Sequence, residues 1–364
     1  MRRLLALLLV GTLAGCSLPT LEFQRTPTDE RPTAPQRPVA HAYGPPLPAG
    51  SAVEEPGAEE PREINTWDIE GSLRPYASEP DLHLTIPHIM ERGRIIVGVD
   101  QSQNLLSFRD SVTGELEGFE VDLAREIARD IFGDPELVDF RFVESANRAS
   151  ALENHEVDII IRTMTVTRTR QQEVAFSSPY LTTDSRLLVM SNSAITGVAQ
   201  LPGRTVCVTD GSTALEKARI HAPQSRILKT RSWADCLVAL QQNQADAILS
   251  DDTILSGIAA QDPYTKIVGE SLAAESYAVA AAHSDEHLNT DGLVRQVNAT
   301  IERVRADGTW WRLYDRWFAV YLATSGPPPL MYRPEDAPQP PAPEEEDQSR
   351  PCRPMRRCCT APFR

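Results

Sequence analysis

Residues 157–180 read VDIIIRTMTVTRTRQQEVAFSSPY. The apolar run of Val157 and 159–161 predicts a buried strand. The strand breaks into hydroxyl-bearing Thr163, Thr165 and Thr167, then into a polar helix start with Arg168 and Arg170. A strand end, free hydroxyls and a helix N-terminus beside a guanidinium make a place to hold a carboxylate. Arginine grips both oxygens of one carboxylate in a planar fork, which lysine cannot do. A pocket for a small molecule bearing a carboxylate is expected here.

Outward from this stretch, strand and helix signals alternate. An apolar run over 95–99 ends at Asp100, and Phe119, Leu123, Ile127 and Ile131 recur at helical spacing. A strand over 138–143 and a short helix through Leu152 lead back to Val157. A second series follows, with strands over 204–208, near Ile227 and over 247–249, and helices from Ser212 and over 233–240. Two such series predict an α/β chain with two doubly wound lobes, each a mostly parallel sheet flanked by helices. In sheets of this kind ligands bind beyond the carboxyl ends of the strands. Asp100, Thr163, Thr165, residues 210–213 and Asp251 all fall at predicted strand ends, so a site between the lobes is expected.

The ends of the chain read differently. MRRLLALLLVGTLAGCSLPT, residues 1–20, has two arginines, an apolar run and small residues before Cys16. That is a secretory signal, too short to span a bilayer as a helix. Leu13-Ala14-Gly15-Cys16 resembles the lipobox of bacterial lipoproteins. It implies a signal peptide over 1–15 and a lipid on Cys16, anchoring the protein at the extracytoplasmic face of the cell membrane. Residues 16–80 are dense in Pro, Glu, Ala and Gly and are expected to be a disordered tether, with a similar Pro-rich acidic tail over 325–364. The chain has 36 basic and 51 acidic residues, a net charge of -15. This excludes nucleic acid and any general affinity for anionic lipid surfaces, leaving the lipid as the membrane contact.

The folded part resembles the bacterial extracellular solute-binding proteins for polar amino acids, the receptors of ABC importers. Within them it is most similar to the actinobacterial glutamate- and glutamine-binding lipoproteins. The resemblance covers about 86–318 and rests on GRIIVGVD (93–100), GFEVDLAREIA (118–128), residues 157–180, VCVTDGST (206–213), QADAILSDD (244–252) and DGTWWRLYDRWF (307–318). It implies a two-lobed, type II periplasmic-binding-protein-like fold that closes over an amino acid on a two-strand hinge. The first lobe would run over 81–190 and return over 282–324, the second over 191–281, with crossings near 190–193 and 280–283. Arg170 aligns with the arginine that clamps the ligand α-carboxylate, helped by Thr165 and a backbone group near Thr163. Ser212 and Thr213 fall where the second lobe supplies donors, and Asp251 where a carboxylate accepts the α-ammonium. Arg170 as a surface arginine, and Ser212, Thr213, Asp251 or Asp252 as helix caps, are the plainer readings.

Departures from the glutamine-binding pattern concern the ligand. Where that pattern places a stacking aromatic after Asp100, this chain has Gln101-Ser102-Gln103-Asn104, and Ser145 stands near another such position. Arg162 replaces a small residue. The pocket is therefore expected to be polar and cationic, with Asp100 and Gln103 at its edge and Arg162 or Arg148 meeting a side-chain carboxylate. That favours glutamate or aspartate, with glutamine and asparagine still open. The alternative pairs Arg148 with Glu144 or Glu153 on the surface.

Cys207 falls on a predicted strand and Cys236 on a predicted helix of the same lobe. In an oxidising compartment they would form a disulfide, with two buried free thiols as the alternative. Cys352, Cys358 and Cys359 lie in the tail without a metal-binding framework. Trp310, Trp311, Tyr314, Trp317 and Phe318 read as the buried face of a last helix packed on the first lobe. No GxSxG, HExxH, Walker loop or dinucleotide turn occurs, and the histidines form no spaced set. A non-enzymatic, monomeric receptor without cofactor or metal is expected. Its partner is an importer permease or, alternatively, a membrane sensor that reports amino-acid availability.

Overall fold

The computed structural model describes residues 45–285, 288–334 and 338–341. The expected signal peptide, Cys16 and the three tail cysteines lie outside them. Among the described residues no helix is long and apolar enough to cross a membrane.

The strand Ile95–Val99 is buried at every position, as a central strand covered on both faces must be. It runs parallel to Val138–Phe142 on one side and to Ile159–Ile160 on the other. The late strand Ala280–Ala281 returns antiparallel to Ile159–Ile160 and to Ala175–Phe176. Helix Phe119–Phe132 covers this first-lobe sheet through Phe119, Leu123, Ile127 and Ile131. Helices Asp291–Ala306 and Thr309–Trp317 pack on that helix. Trp310, Tyr314 and Phe318 are buried while Trp311 is exposed, and the Trp310 indole donates to the Tyr180 carbonyl at 2.8 Å.

Among the described residues the second lobe carries a seven-stranded sheet. Thr205–Thr209 is wholly buried and parallel to both Arg226–Thr230 and Ala247–Asp251. Leu181–Met190 lies antiparallel beside Ala247–Asp251, and both Thr265–Val268 and Ala274–Tyr277 pair with it. Cys207 and Cys236 are disulfide-bonded, with their Cα atoms 5.6 Å apart, so strand Thr205–Thr209 is stapled to helix Trp233–Gln241.

Two expectations change. Because Leu181–Met190 belongs wholly to the second sheet, the lobes join at 177–181 and 277–280, not at 190–193 and 280–283. There the Ser177 N–H donates to the Val279 carbonyl at 2.8 Å and the Tyr180 N–H to the Tyr277 carbonyl at 2.9 Å. Polar Thr183 and Ser185 occupy buried positions on this strand, which hides it from a count of apolar residues.

Residues 45–80, expected within the tether, are built into the fold. Ala52–Glu54 adds an antiparallel edge strand to Arg226–Thr230. Ser72 pairs with Tyr332, and the buried Asn298 amide holds the Ser178 N–H, the Ser72 hydroxyl and the Leu73 carbonyl at 2.6–2.7 Å. The start of the expected tail is held too, by the Met331 N–H on the Ser178 hydroxyl and by the Tyr332 hydroxyl on Glu302, both at 2.8 Å. A segment poor in apolar residues cannot build its own core, but it can pair at an edge that already exists.

The disulfide closes a sequence separation of 29 residues. Replacing both cysteines by serine is expected to cost on the order of 3 kcal/mol in the chain-entropy model. Denaturant unfolding of the oxidised protein and the double variant measures this, and equal stabilities would contradict it.

Candidate functional site

The pocket between the lobes is lined by Ser145, Arg148, Thr163, Thr165 and Arg170 of the first lobe. The second lobe contributes Ser212, Thr213, Ala214, Trp233, Ser250, Asp251 and Ile254. Seen from the chain, these are the turn Ser145–Asn147 with helix Arg148–Glu153, the loop after Ile159–Ile160, the turn at Arg170–Gln172, the starts of helices Thr213–His221, Trp233–Gln241 and Asp252–Gln261, and the end of strand Ala247–Asp251.

Thr163 turns the first of these loops. Its φ of +42° lies in the left-handed region, uncommon for a β-branched residue. Its N–H donates to Glu120 at 2.7 Å, and the Tyr180 hydroxyl donates to the same carboxylate oxygen. Glu120 is buried in the first turn of helix Phe119–Phe132. Burial pushes its carboxyl up to about 7, against the pull of Tyr180, Thr163 and Arg162.

Arg170 donates from one Nη to the Thr165 carbonyl at 2.9 Å and from the other to the Gly211 carbonyl, across the cleft, at 3.0 Å. Arg148 reaches the same Gly211 carbonyl at 3.1 Å. Its remaining donors go to the carbonyls of Ser145 and Arg162 at 3.0 Å and of Thr163 at 3.3 Å. Every hydrogen bond of Arg148 among the described residues thus ends on a backbone carbonyl. Burial pulls this guanidinium well below its ordinary value, and the charges of Arg170 and Arg162 act in the same direction. Burial also lowers Arg170, opposed there by Glu275 and Asp251. Gly211 adopts φ +70°, and a Cβ on it would meet the Ala146 Cα at 2.7 Å. Only glycine lets the lobes touch at this point.

Asp251 faces these cations from the second lobe. It accepts the Tyr277 hydroxyl at 2.5 Å and the Ser185 hydroxyl at 2.8 Å. It precedes helix Asp252–Gln261 without a capping bond from its side chain, while Asp252 accepts the Thr183 hydroxyl at 2.7 Å. Behind Asp251, Lys217 pairs with Glu275 and lies 3.8 Å from Asp251. Glu275 accepts the Thr165 hydroxyl from the first lobe and the Thr213 hydroxyl at 3.1 Å. Burial raises the Glu275 carboxyl, the Asp251 charge adds to this, and Lys217 opposes it. The Ser212 hydroxyl donates to the Thr209 carbonyl at 2.5 Å and does not cap the following helix.

Arg148, Thr163, Thr165, Arg170, Ser212, Thr213 and Asp251 therefore line one pocket. Arg162, Asp100 and Gln103 do not line the pocket. Arg162 and Asp100 are fully buried as an ion pair, and Arg162 also donates to the Ser145 hydroxyl. The other oxygen of Asp100 accepts the N–H groups of Gln101 and Ser102, both at 2.7 Å. The expected contact of Arg162 with a ligand carboxylate is thereby corrected, because Asp100 already neutralises it. Gln103 is buried away from the pocket. Arg148 makes no surface pair, and Glu144 instead bonds Arg231 across the lobes.

Glu120, Lys217, Glu275 and Trp233 were not anticipated. Glu120 shares a helical face with Ala124, Ile127 and Ile131, and Lys217 shares one with Ala214 and Ala218. A charged residue on an apolar face was the available signal in both cases. Glu275 and Trp233 carried none.

The model of the bacterial extracellular solute-binding proteins, family 3, matches residues 95–320. The chain belongs to this family. The ABC transporter glutamine-binding protein GlnH of Bacillus subtilis is 32% identical over 242 residues, 66% of this chain and 87% of that protein. The glutamate-binding protein GluB of Corynebacterium glutamicum is 31% identical over 236 residues, 62% of this chain and 78% of that protein. The solved L-cysteine receptor of Neisseria gonorrhoeae superposes with a TM-score of 0.60 at 28% identity, covering 65% of this chain and 94% of that one. The two-lobed architecture is thus the type II solute-binding fold. This family 3 protein places its pocket at the strand ends between the lobes.

A carboxyl raised from 4.5 to about 7 binds its proton more tightly in the folded protein. Its contribution to stability is full below pH 4.5 and is lost as pH rises through about 7, on the order of 3 kcal/mol. Glu120→Gln keeps an acceptor for Thr163 and Tyr180 without the charge. Relative to this variant, the wild-type protein is expected to lose about that much unfolding free energy between pH 4 and pH 8. Parallel stability profiles for the two would contradict the assignment.

Proposed function

We propose that this protein is a lipid-anchored, extracytoplasmic receptor for an acidic amino acid, glutamate or aspartate, which it delivers to an ABC importer. The observation that carries the reading is the charge facing the pocket. Arg148 and Arg170 line it against Asp251, while Lys217 and Glu275 cancel behind it. Within this set of inward-facing groups one positive charge is left over. Glutamate and aspartate bring one net negative charge, whereas glutamine and asparagine bring none and leave a buried guanidinium uncompensated.

In this reading Arg170 takes the α-carboxylate, and the hydroxyls of Thr165, Ser212 and Thr213 turn toward it from the Glu275 carboxylate and the Thr209 carbonyl to which they donate in this structure. Asp251 takes the α-ammonium, and Arg148 takes the side-chain carboxylate. A zwitterion needs an anion and a cation held a few ångströms apart, and Arg170 and Asp251 stand on opposite walls to supply them. The importer role is supported by family membership and by the names of the glutamine- and glutamate-binding relatives. The anchor is supported by the lipobox-like Leu13-Ala14-Gly15-Cys16. Ligand favours the closed form, and the closed form is what a permease reads.

A thermal-shift screen of the twenty amino acids, followed by calorimetry, tests the proposal. Selective ligands raise the apparent stability by mass action. L-Glutamate or L-aspartate is expected to give the largest shift, and Arg170→Ala to abolish every shift. Arg148→Met is expected to weaken the acids by about 30-fold or more, as for a desolvated charge pair, and L-glutamine far less. Glutamine outbinding both acids in the wild-type protein would overturn the acidic assignment. Unchanged shifts in folded Arg170→Ala would overturn the placement of the carboxylate.

A further inference from the structure

The segment between the edge strand Ala52–Glu54 and Ser72 lies outside the region matched by the family model, and it is tied to both lobes. On the second lobe, Glu54 accepts two bonds from Arg219 at 2.9 and 2.8 Å, and Glu59 accepts another at 2.5 Å. The Arg62 N–H donates to Glu216 at 2.7 Å. On the first lobe, the Arg168 N–H donates to the Asn65 carbonyl at 2.9 Å. Gln171 holds the Glu70 backbone on both sides, at 2.9 and 2.7 Å. The chain therefore changes lobes between Arg62 and Asn65.

This crossing is at the mouth of the pocket. Glu59, Glu63 and Ile64 line the same cavity as Arg148, Arg170 and Ser212. The hinge strands at 177–181 and 277–280 join the lobes elsewhere, so the segment is a third connection between them. Three residue steps from Arg62 to Asn65 reach at most about 11 Å when extended. While the anchors hold, the lobes cannot part at this rim by more than that. Released from its anchors, the run from Glu54 to Ser72 would span several times the distance and restrain nothing.

We propose that residues 55–71 form a strap across the cleft mouth that limits lobe opening and gates the entry and exit of ligand. The gating half rests on the site proposed above, while the limit on opening does not. Within the strap Trp67 is exposed and Ile69 packs against the first-lobe core. It is held by Arg219 on one lobe and by Gln171 and Arg168 on the other.

The test lengthens the crossing without removing any contact, by inserting about eight Gly/Ser residues between Glu63 and Ile64. Spin labels on the exposed Ser150 of the first lobe and Gln242 of the second report lobe separation in the ligand-free protein. The distance distribution is expected to broaden toward longer values on insertion. Release of L-glutamate, followed by stopped-flow tryptophan fluorescence, is expected to accelerate by about ten-fold or more. Gln171→Ala, which removes one first-lobe anchor while the Arg168 N–H still holds Asn65, is expected to move both readouts in the same direction but by less, and melting curves confirm that each variant is folded. An unchanged distance distribution in both variants overturns the strap whether or not glutamate binds. A broadened distribution with unchanged release overturns the gating. An insertion variant that opens wider, with a wild-type protein that binds no amino acid, counts against the proposed function alone.

Discussion

Two guanidiniums from one lobe share a single carbonyl of the other. Arg148 and Arg170 both donate to the oxygen of Gly211, and the rest of the cleft is arranged around that meeting. Arg148 is buried and Arg170 partly so, and like charges brought together with little water between them raise each other's energy. Carbonyl dipoles satisfy their hydrogen bonds without supplying a counter-charge. The facing carboxylate, Asp251, balances one of the two. In the proposed reading, what remains is a demand for an anion at the point where the lobes touch.

That demand is specific because the other buried charges nearby are already settled. Asp100 and Arg162 neutralise each other under the loop that carries Thr163. Lys217 and Glu275 do the same behind Asp251, and Glu275 also receives hydroxyls from Thr165 and Thr213. A buried ion pair adds little net stability compared with apolar packing, but breaking one is costly, so such pairs hold geometry. Glu120 acts in this way on the backbone, fixing the Thr163 N–H so that a left-handed residue is kept where the loop must turn.

Much of this was legible in the chain, and the failures share a physical cause. The alternation of apolar runs gave both lobes, because buried parallel strands leave an uninterrupted hydrophobic signature, as Ile95–Val99 does. The cluster of Thr163, Thr165 and Arg170 was legible because hydroxyls and a guanidinium directly after a buried apolar strand mark a polar strand end. Arg162 was misjudged because sequence does not record which way a side chain points at a strand end, and its partner Asp100 lies 62 positions away. The crossing at 177–181 was missed because Leu181–Met190 turns Thr183 and Ser185 inward. Residues 45–80 were misjudged because their order is borrowed from the edge of Arg226–Thr230 and from Arg219, neither of which a local composition reveals.

The geometry also makes recognition and closure one event. Arg148 and Arg170 reach Gly211 only when the lobes touch, since that contact leaves no room for a Cβ between Gly211 and Ala146. Parting the lobes would return Arg170 to water, where its repulsion with Arg148 is screened, while Arg148 would keep its bonds to the first-lobe carbonyls of Ser145, Arg162 and Thr163. Closing without an anion removes that screening and concentrates the repulsion, so the empty pocket resists closure. Closing around a carboxylate converts the same two cations from a penalty into the strongest attraction in the site. A ligand shifts a conformational equilibrium only by its difference in affinity between the two states. In the proposed reading the difference is built from charges that meet where the lobes touch, so the preference for an anion and the drive to close would have a common source.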